Sequence, residues 1–239
     1  MNKRSSQQNS GSARVGPIDC DGEEARLASQ SLAAGDPTGW FEQLYAAGES
    51  GRVTMPFDRV KPHPLLIDWA DDCLFAGHGQ RAIIVGCGLG ADAEYVAGRG
   101  FSTVAFDISE TAIRVAQQRH SASTVDYVVA DLLNPPLRWE RAFDLVIEVI
   151  TVQALPNPPR HKAIANISRL VGVHGTLLVV AAAPGDDLTP AKLLPPWPLD
   201  EDEIKAFASD DLTVKSVETV LLPDSPSSRR WRAEFHRCG

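Results

Sequence analysis

The chain has 239 residues, 44% of them apolar, and a formal charge of −8 from 31 acidic against 23 basic side chains. An acidic chain without a basic run is poorly suited to a phosphate backbone, which argues against a nucleic-acid partner. No stretch approaches the roughly 18 unbroken apolar residues of a membrane span, and the length fits one large domain with a tail.

In chain order, residues 1–22 are rich in Ser, Gln, Asn and Gly and read as a disordered tail. "MNKRSSQQNSGSARVG" carries charge but lacks the apolar core of a secretory signal. Cys20, Cys73, Cys87 and Cys238 form no CxxC and no metal-like pair, which suits a reducing, cytoplasmic setting. Residues 23–34 can form a helix, ended by "GDPTG". The aromatic, turn-rich stretch "WFEQLYAAGESGRVTMPFDRVKPHP" follows, and together these make an N-terminal unit over 23–63. Its aromatic side chains are too much apolar surface to leave in water but too few for a firmly packed helix. Residues 36–57 are therefore expected to be a lid that closes over a ligand, with Trp40 as its anchor; the alternative is a segment packed permanently on the edge of the sheet.

The main domain is expected over 64–239. Residues 64–74 read as a helix with Leu65, Leu66, Trp69 and Cys73 along one face. The period then changes. "RAIIVG", "STVAFD", "VDYVVAD", "FDLVIEVI" and "GTLLVVAAA" are apolar strands separated by helix-length segments, which indicates βαβ units and a parallel sheet with helices on both faces. Ser109 can cap the helix after the second strand. At the end of the chain "LTVKSVETVLL" and "RRWRAEFHR" alternate apolar and polar residues around "PDSPSS". They predict an antiparallel hairpin and hence an α/β, Rossmann-like, mostly parallel sheet with an antiparallel C-terminal hairpin.

The first strand runs into Gly86-Cys87-Gly88-Leu89-Gly90, where bare backbone and a helix N-terminus can receive a ligand. Asp107 ends the second strand and can accept hydrogen bonds from both hydroxyls of a ribose. Asp131 ends the third and can take one from an adenine amino group. Either could instead be an ordinary cap or turn residue. Gly86, Gly88 and Ala91 also satisfy a dinucleotide pattern, so a nicotinamide-dependent oxidoreductase is the rival reading. S-adenosylmethionine is favoured by the third glycine at Gly90, by Asp131, and by the terminal hairpin, which leaves no room for a separate substrate domain.

These segments resemble those of class I S-adenosylmethionine-dependent methyltransferases, and within them the thiopurine methyltransferase-like group of small-molecule enzymes. "VGCGLGADAEYVAGRGF", "VAFDIS", "ADLL" and "FDLVIEVITVQALP" carry the resemblance, together with "WFEQLYAAG" at the N-terminal side. It implies a seven-stranded sheet whose last strand is antiparallel, and a methyl transfer to a small-molecule acceptor. It also implies that Gly86, Gly88 and Gly90 lie beside the methionine part of the cofactor, that Asp107 holds the ribose with Ile108 against the adenine, and that Asp131 and Leu132 frame the ring. Glu148 would stand beside the methionine moiety and the acceptor, and Trp40 would match the leading aromatic of the closing segment. Leu44 stands where some members have a second tryptophan.

A soft acceptor atom needs no general base, whereas a phenol or amine benefits from one. The candidates are His63, read first as a solvated loop residue, the exposed His161, and Glu148, for which a cofactor role comes first. Cys87 reads as a packing residue. Trp197 could overhang the acceptor or pack in the core. No catalytic residue is assigned. "NPPL" at 134–137 and "NPPR" at 157–160 resemble the motif of nucleic-acid amino-methyltransferases but fall at the wrong places and read as turns. A binding protein that keeps the cofactor pocket without catalysis is the remaining alternative.

Overall fold

The computed structural model describes residues 20–73, 76–185, 195–209, 211–222 and 225–239. Helix α1 spans Cys20–Ala33 and α2 Gly39–Glu49. The helix thus begins at Cys20, three residues inside the expected tail, and the rest of that tail lies outside the described residues. Helix α3 (Pro64–Asp72) starts at a proline, whose missing N–H costs nothing at that position. His63 caps it, its Nδ1 accepting the Leu65 N–H at 3.2 Å.

Five parallel strands follow: β1 (Arg81–Val85), β2 (Ser102–Asp107), β3 (Asp126–Val129), β4 (Phe143–Val149) and β5 (Val171–Ala182). Helices α4 (Ala91–Gly98), α5 (Glu110–Arg119) and α6 (Pro159–Leu170) connect them. The short α7 (Glu201–Lys205) is closed by a reciprocal cap between Asp200 and Glu203. Strands β6 (Leu212–Leu222) and β7 (Ser225–Arg237) finish the chain. The sheet has seven strands in the order β3-β2-β1-β4-β5-β7-β6. β7 inserts between β5 and β6 and runs antiparallel to both.

Both faces are covered, which is why β1 and β4 read as unbroken apolar runs. One core joins Val85, Val146 and Leu177 to Ile164 and Ile167 of α6. The other joins Ile84, Ile147 and Leu178 to Leu66 of α3, Val96 of α4 and Ile113 of α5. The chain steps outward from β1 to β2 and β3, then returns to place β4 on the other side of β1. That reversal opens a crevice at the carboxyl ends of β1 and β4, the usual ligand position in such sheets. Among the described residues, no helix is long and apolar enough to cross a membrane.

Candidate functional site

A cavity of about 300 Å³ sits at this switch point, a size within the range for small-molecule pockets. Gly86, Gly88 and Ala91 line it at the end of β1, Asp107 and Ile108 at the end of β2, and Asp131 and Leu132 after β3. The chain order therefore brings together, along one edge, residues that the sequence places at three successive strand ends.

The glycine turn is bare for reasons partly different from those expected. Gly86 and Gly90 have φ of 58° and 93°, a region costly for other residues. A Cβ on Gly86 would collide with the Thr151 side chain, and one on Gly90 with the Tyr127 hydroxyl. Gly90 is the N-cap of α4 and is not among the residues facing the cavity. Its glycine answers to Tyr127, which is itself held by Glu94 at 2.7 Å.

Asp107 is buried. Its Oδ2 accepts the Gly88 N–H and its Oδ1 the Ser109 N–H, each at 3.0 Å. Burial pushes its carboxyl above the usual range, and the N–H groups of Ser109, Gly88 and Ile108 pull it back. A carboxylate has about four acceptor positions, so this group ties the glycine turn to β2 and keeps capacity toward the cavity. Asp131 lines the far end. Its Oδ1 accepts the Leu133 N–H and its Oδ2 the Asn134 amide, each at 2.7 Å, so it is also the turn-former that its sequence context allows. The Leu132 carbonyl is fixed by Asn166 of α6 at 2.8 Å.

Glu148 and Trp40 do not face the cavity. Glu148 is fully buried in β4. Its Oε1 accepts the Thr151 and Val152 N–H groups at 2.7 and 2.9 Å, while Oε2 is enclosed with no partner. Its neighbours Val149, Ile150 and Thr151 form the wall instead. Ile150 adopts φ of 61°, an outlier for a β-branched residue, and the Glu148 bonds to the two following amides help to hold it there. Burial raises the Glu148 carboxyl to about 7, against backbone bonds that lower it. Between pH 4.5 and 7 the native state therefore holds a proton that the unfolded chain releases. The stability from this group is complete at the acidic end and is lost as pH rises to about 7. Glu148→Gln should remove that slope. Denaturant titrations of both proteins across this range should show a difference that narrows toward acid, and a constant difference would contradict the assignment.

Trp40 is fully buried against Leu27 and Ala28 of α1 and Leu44 of its own helix. The next residue, Phe41, and Tyr45 one turn later face the cavity. So α2 is a firmly packed helix. Three carboxylates fasten this segment to α5. Glu42 accepts the Ser109 hydroxyl at 2.6 Å and the Thr111 hydroxyl at 2.7 Å, Glu49 pairs with Arg114, and Asp58 pairs with Arg119 at 2.6 Å. Burial alone would raise the Glu42 carboxyl, but the Ser109 and Thr111 bonds prevail and lower it.

The remaining candidates lie mostly elsewhere. His63 is 4% exposed rather than solvated, and burial followed by the Arg59 charge depresses it to about 4. It is a neutral helix cap that does not reach the cavity. His161 is exposed on α6. Cys87 faces the cavity, but burial pushes its thiol well up, which removes thiolate reactivity. Trp197 packs beside the Arg160 guanidinium, and it is the preceding Pro196 that reaches the cavity. "NPPL" follows β3 and "NPPR" opens α6, both away from the end of β4.

Phe41, Tyr45 and Phe57, which the sequence reading placed in the closing segment over 36–57 without singling them out, line the cavity, and so do Arg59, Ile150 and Thr151, which it missed. Helical spacing within "WFEQLY" could have separated the 40/44 face from the 41/45 face. Nothing local marks Ile150 or Arg59.

A family model described as a methyltransferase domain matches residues 83–175. The chain is 30% identical over 130 residues to the ubiquinone biosynthesis O-methyltransferase of Dechloromonas aromatica, covering 52% of this chain and 55% of that one. It is 29% identical over 124 residues to phthiotriol/phenolphthiotriol dimycocerosates methyltransferase 1 of Mycobacterium ulcerans, covering 51% and 42%. The matches thus span about half the length of these curated relatives. The fold is shared with the N-methyltransferase NodS of Bradyrhizobium japonicum, solved with S-adenosylhomocysteine, at a TM-score of 0.61 and 20% identity over 81% of this chain and 97% of that one.

Proposed function

We propose that the chain is a class I methyltransferase that uses S-adenosylmethionine to methylate a small-molecule acceptor. The observation that carries this is the buried Asp107 carboxylate, bonded to the Gly88 N–H and facing a cavity that ends at Asp131. The family match over 83–175 covers this same glycine turn and both aspartates.

The residues present suit the cofactor. Asp107 would accept the ribose hydroxyls, Ile108 and Leu132 would enclose the adenine, and Asp131 would take its amino group. Gly86 and Gly88 would run beside the methionine part. When bound, the cofactor supplies an activated sulfonium methyl. The protein's work is then alignment and exclusion of water. Phe41 and Tyr45 line the cavity from α2, and the Ile150–Thr151 turn, held by Glu148, lines it at the end of β4. Neither histidine weighed as a base faces this space. The narrower likeness to thiopurine methyltransferases rested partly on Trp40 as a cofactor contact, and its place in the α1–α2 core withdraws that support.

Calorimetric titration tests the reading. S-adenosylhomocysteine should bind and raise the melting temperature, and NADH should do neither. Stabilisation by NADH with none from S-adenosylhomocysteine would replace the proposal with a nicotinamide enzyme. Binding with no turnover across thiols, phenols and amines would leave a cofactor-binding protein.

A further inference from the structure

The backbone carbonyl of Ile150 is diverted from the sheet. β4 and β5 run parallel, and the Ile150 N–H still donates to the Val180 carbonyl at 2.8 Å. The next rung of a parallel ladder would run from the Ala182 N–H to the Ile150 carbonyl. That N–H donates instead to the Gln153 side chain, with Oε1 at 2.6 Å. Gln153 is buried, so the replacement belongs to the fold and not to a surface fluctuation. The φ of 61° at Ile150 swings its carbonyl off the ladder, at a cost for a β-branched residue. Glu148 sets the new direction. The Thr151 N–H points back to the buried Glu148 Oε1 at 2.7 Å, and in a trans peptide the preceding carbonyl points the opposite way. Ile150 lines the cavity and Glu148 does not, so the carbonyl is turned from the interior toward the cavity side. Among the described residues, no N–H or O–H donates to it.

Its surroundings restrict what it can hold. Val149, Ala154 and Leu155 on the same wall are apolar. Among the described lining residues, the acidic Glu24, Asp107 and Asp131 outnumber the basic Arg59, which is paired with Asp92 at 2.7 Å. Such a space suits a group that gains positive charge and disfavours an anion. A carbonyl accepts a hydrogen bond but is too weak a base to remove a proton. A phenol gains most from a base that takes its proton during attack, whereas an amine attacks with its lone pair and keeps its N–H groups.

We propose that the Ile150 carbonyl orients the methyl acceptor, and that this acceptor is a neutral amine carried on an apolar group. The proposal rests on the methyltransferase reading above and names its substrate class. The nitrogen would donate one N–H to the carbonyl and aim its lone pair at the sulfonium methyl. The N–C bond forms as the C–S bond breaks, and the C–S electron pair goes to sulfur. Positive charge thus moves to the nitrogen, beside the carbonyl dipole, and the surplus proton passes to water with the departing product.

The test measures release of S-adenosylhomocysteine with benzylamine, benzyl mercaptan and p-cresol, at alkaline pH and with the uncatalysed rate subtracted. kcat/KM for benzylamine should exceed that for the other two by at least about tenfold. Gln153→Ala should lower it by about tenfold, because the Ala182 N–H then draws the Ile150 carbonyl back to the ladder, while the dissociation constant for S-adenosylhomocysteine stays within about threefold. Gln153→Glu keeps an acceptor for that N–H and should retain the transfer. Faster transfer to the thiol or the phenol would overturn the amine assignment and leave the methyltransferase reading standing. Undiminished amine transfer in Gln153→Ala would overturn the role of the carbonyl. A second readout needs no turnover. Ile150–Thr151 is the one Ile–Thr pair in the sequence, so labelling isoleucine carbonyls with carbon-13 and threonine with nitrogen-15 singles out this carbonyl. Its resonance in the S-adenosylhomocysteine complex should shift with benzylamine and not with toluene. A resonance that stays fixed, or moves equally with toluene, would overturn the proposal even where no probe is methylated. A wild-type protein that does not bind S-adenosylhomocysteine would remove the methyltransferase reading itself, before any acceptor is added.

Discussion

Asp107→Ala should raise the dissociation constant for S-adenosylhomocysteine by at least about a hundredfold, because each hydrogen bond to a charged group contributes about 1.5–3 kcal/mol and the carboxylate can accept two from a ribose. The same substitution should also lower the stability of the free protein. Its two oxygens accept the Gly88 and Ser109 N–H groups, and the alanine variant leaves both without a partner. An unsatisfied buried donor costs about 1–3 kcal/mol, and each kcal/mol lowers the melting temperature of a domain this size by roughly 2–4 °C. The protein should therefore remain folded and cooperative but melt several degrees lower. Asp107→Asn keeps the shape and one acceptor, so its melting temperature should recover more than its affinity. If the alanine variant loses stability while its affinity stays within twofold, Asp107 is a structural tie between β1 and β2 and the cavity binds something else.

Trp40→Ala should show the opposite pattern. The indole is fully buried between α1 and α2, with Leu27, Ala28 and Leu44 around it. Removing a buried aromatic of this size costs about 3–5 kcal/mol, or roughly 6–20 °C in melting temperature. Affinity for S-adenosylhomocysteine, measured well below the variant's melting point, should change by less than about threefold, since Phe41 and Tyr45, not Trp40, line the cavity. Hydrogen exchange separates the two roles further. Amides of α2, held through Glu42 and Glu49, should be protected in the free protein as well as in the complex. A variant that keeps its melting temperature but loses cofactor affinity would return Trp40 to the lid first expected of it.

Much of the fold was legible because its signals are local. Unbroken apolar runs such as "RAIIVG" mark strands covered on both faces, and the alternation in "RRWRAEFHR" marks the hairpin strand. Ser109 and Pro64 announce helix starts through chemistry confined to a few neighbouring residues. The strand-end positions of Gly86, Gly88, Asp107 and Asp131 were legible for the same reason, since a strand's carboxyl end is visible where its apolar run stops.

What the sequence could not decide was direction and partnership. Trp40 and Phe41 are adjacent and similar in character, yet one fills the α1–α2 core and the other faces the cavity, because helix phase is set by what α2 packs against. Glu148 ends the correct strand, but the pleat turns it away from the cavity, where it holds the following turn instead. His63 sits in a proline-rich stretch that looks solvated, and only the packing of α3 on the sheet buries it as a cap. Arg59 reaches the cavity because Asp92, distant in sequence, draws it there. Local periodicity and turn chemistry thus determined the elements and the sheet edge at which the cavity opens. The residues that line the cavity at that edge were chosen by long-range contacts, whose energies depend on neighbours that no short window of sequence contains.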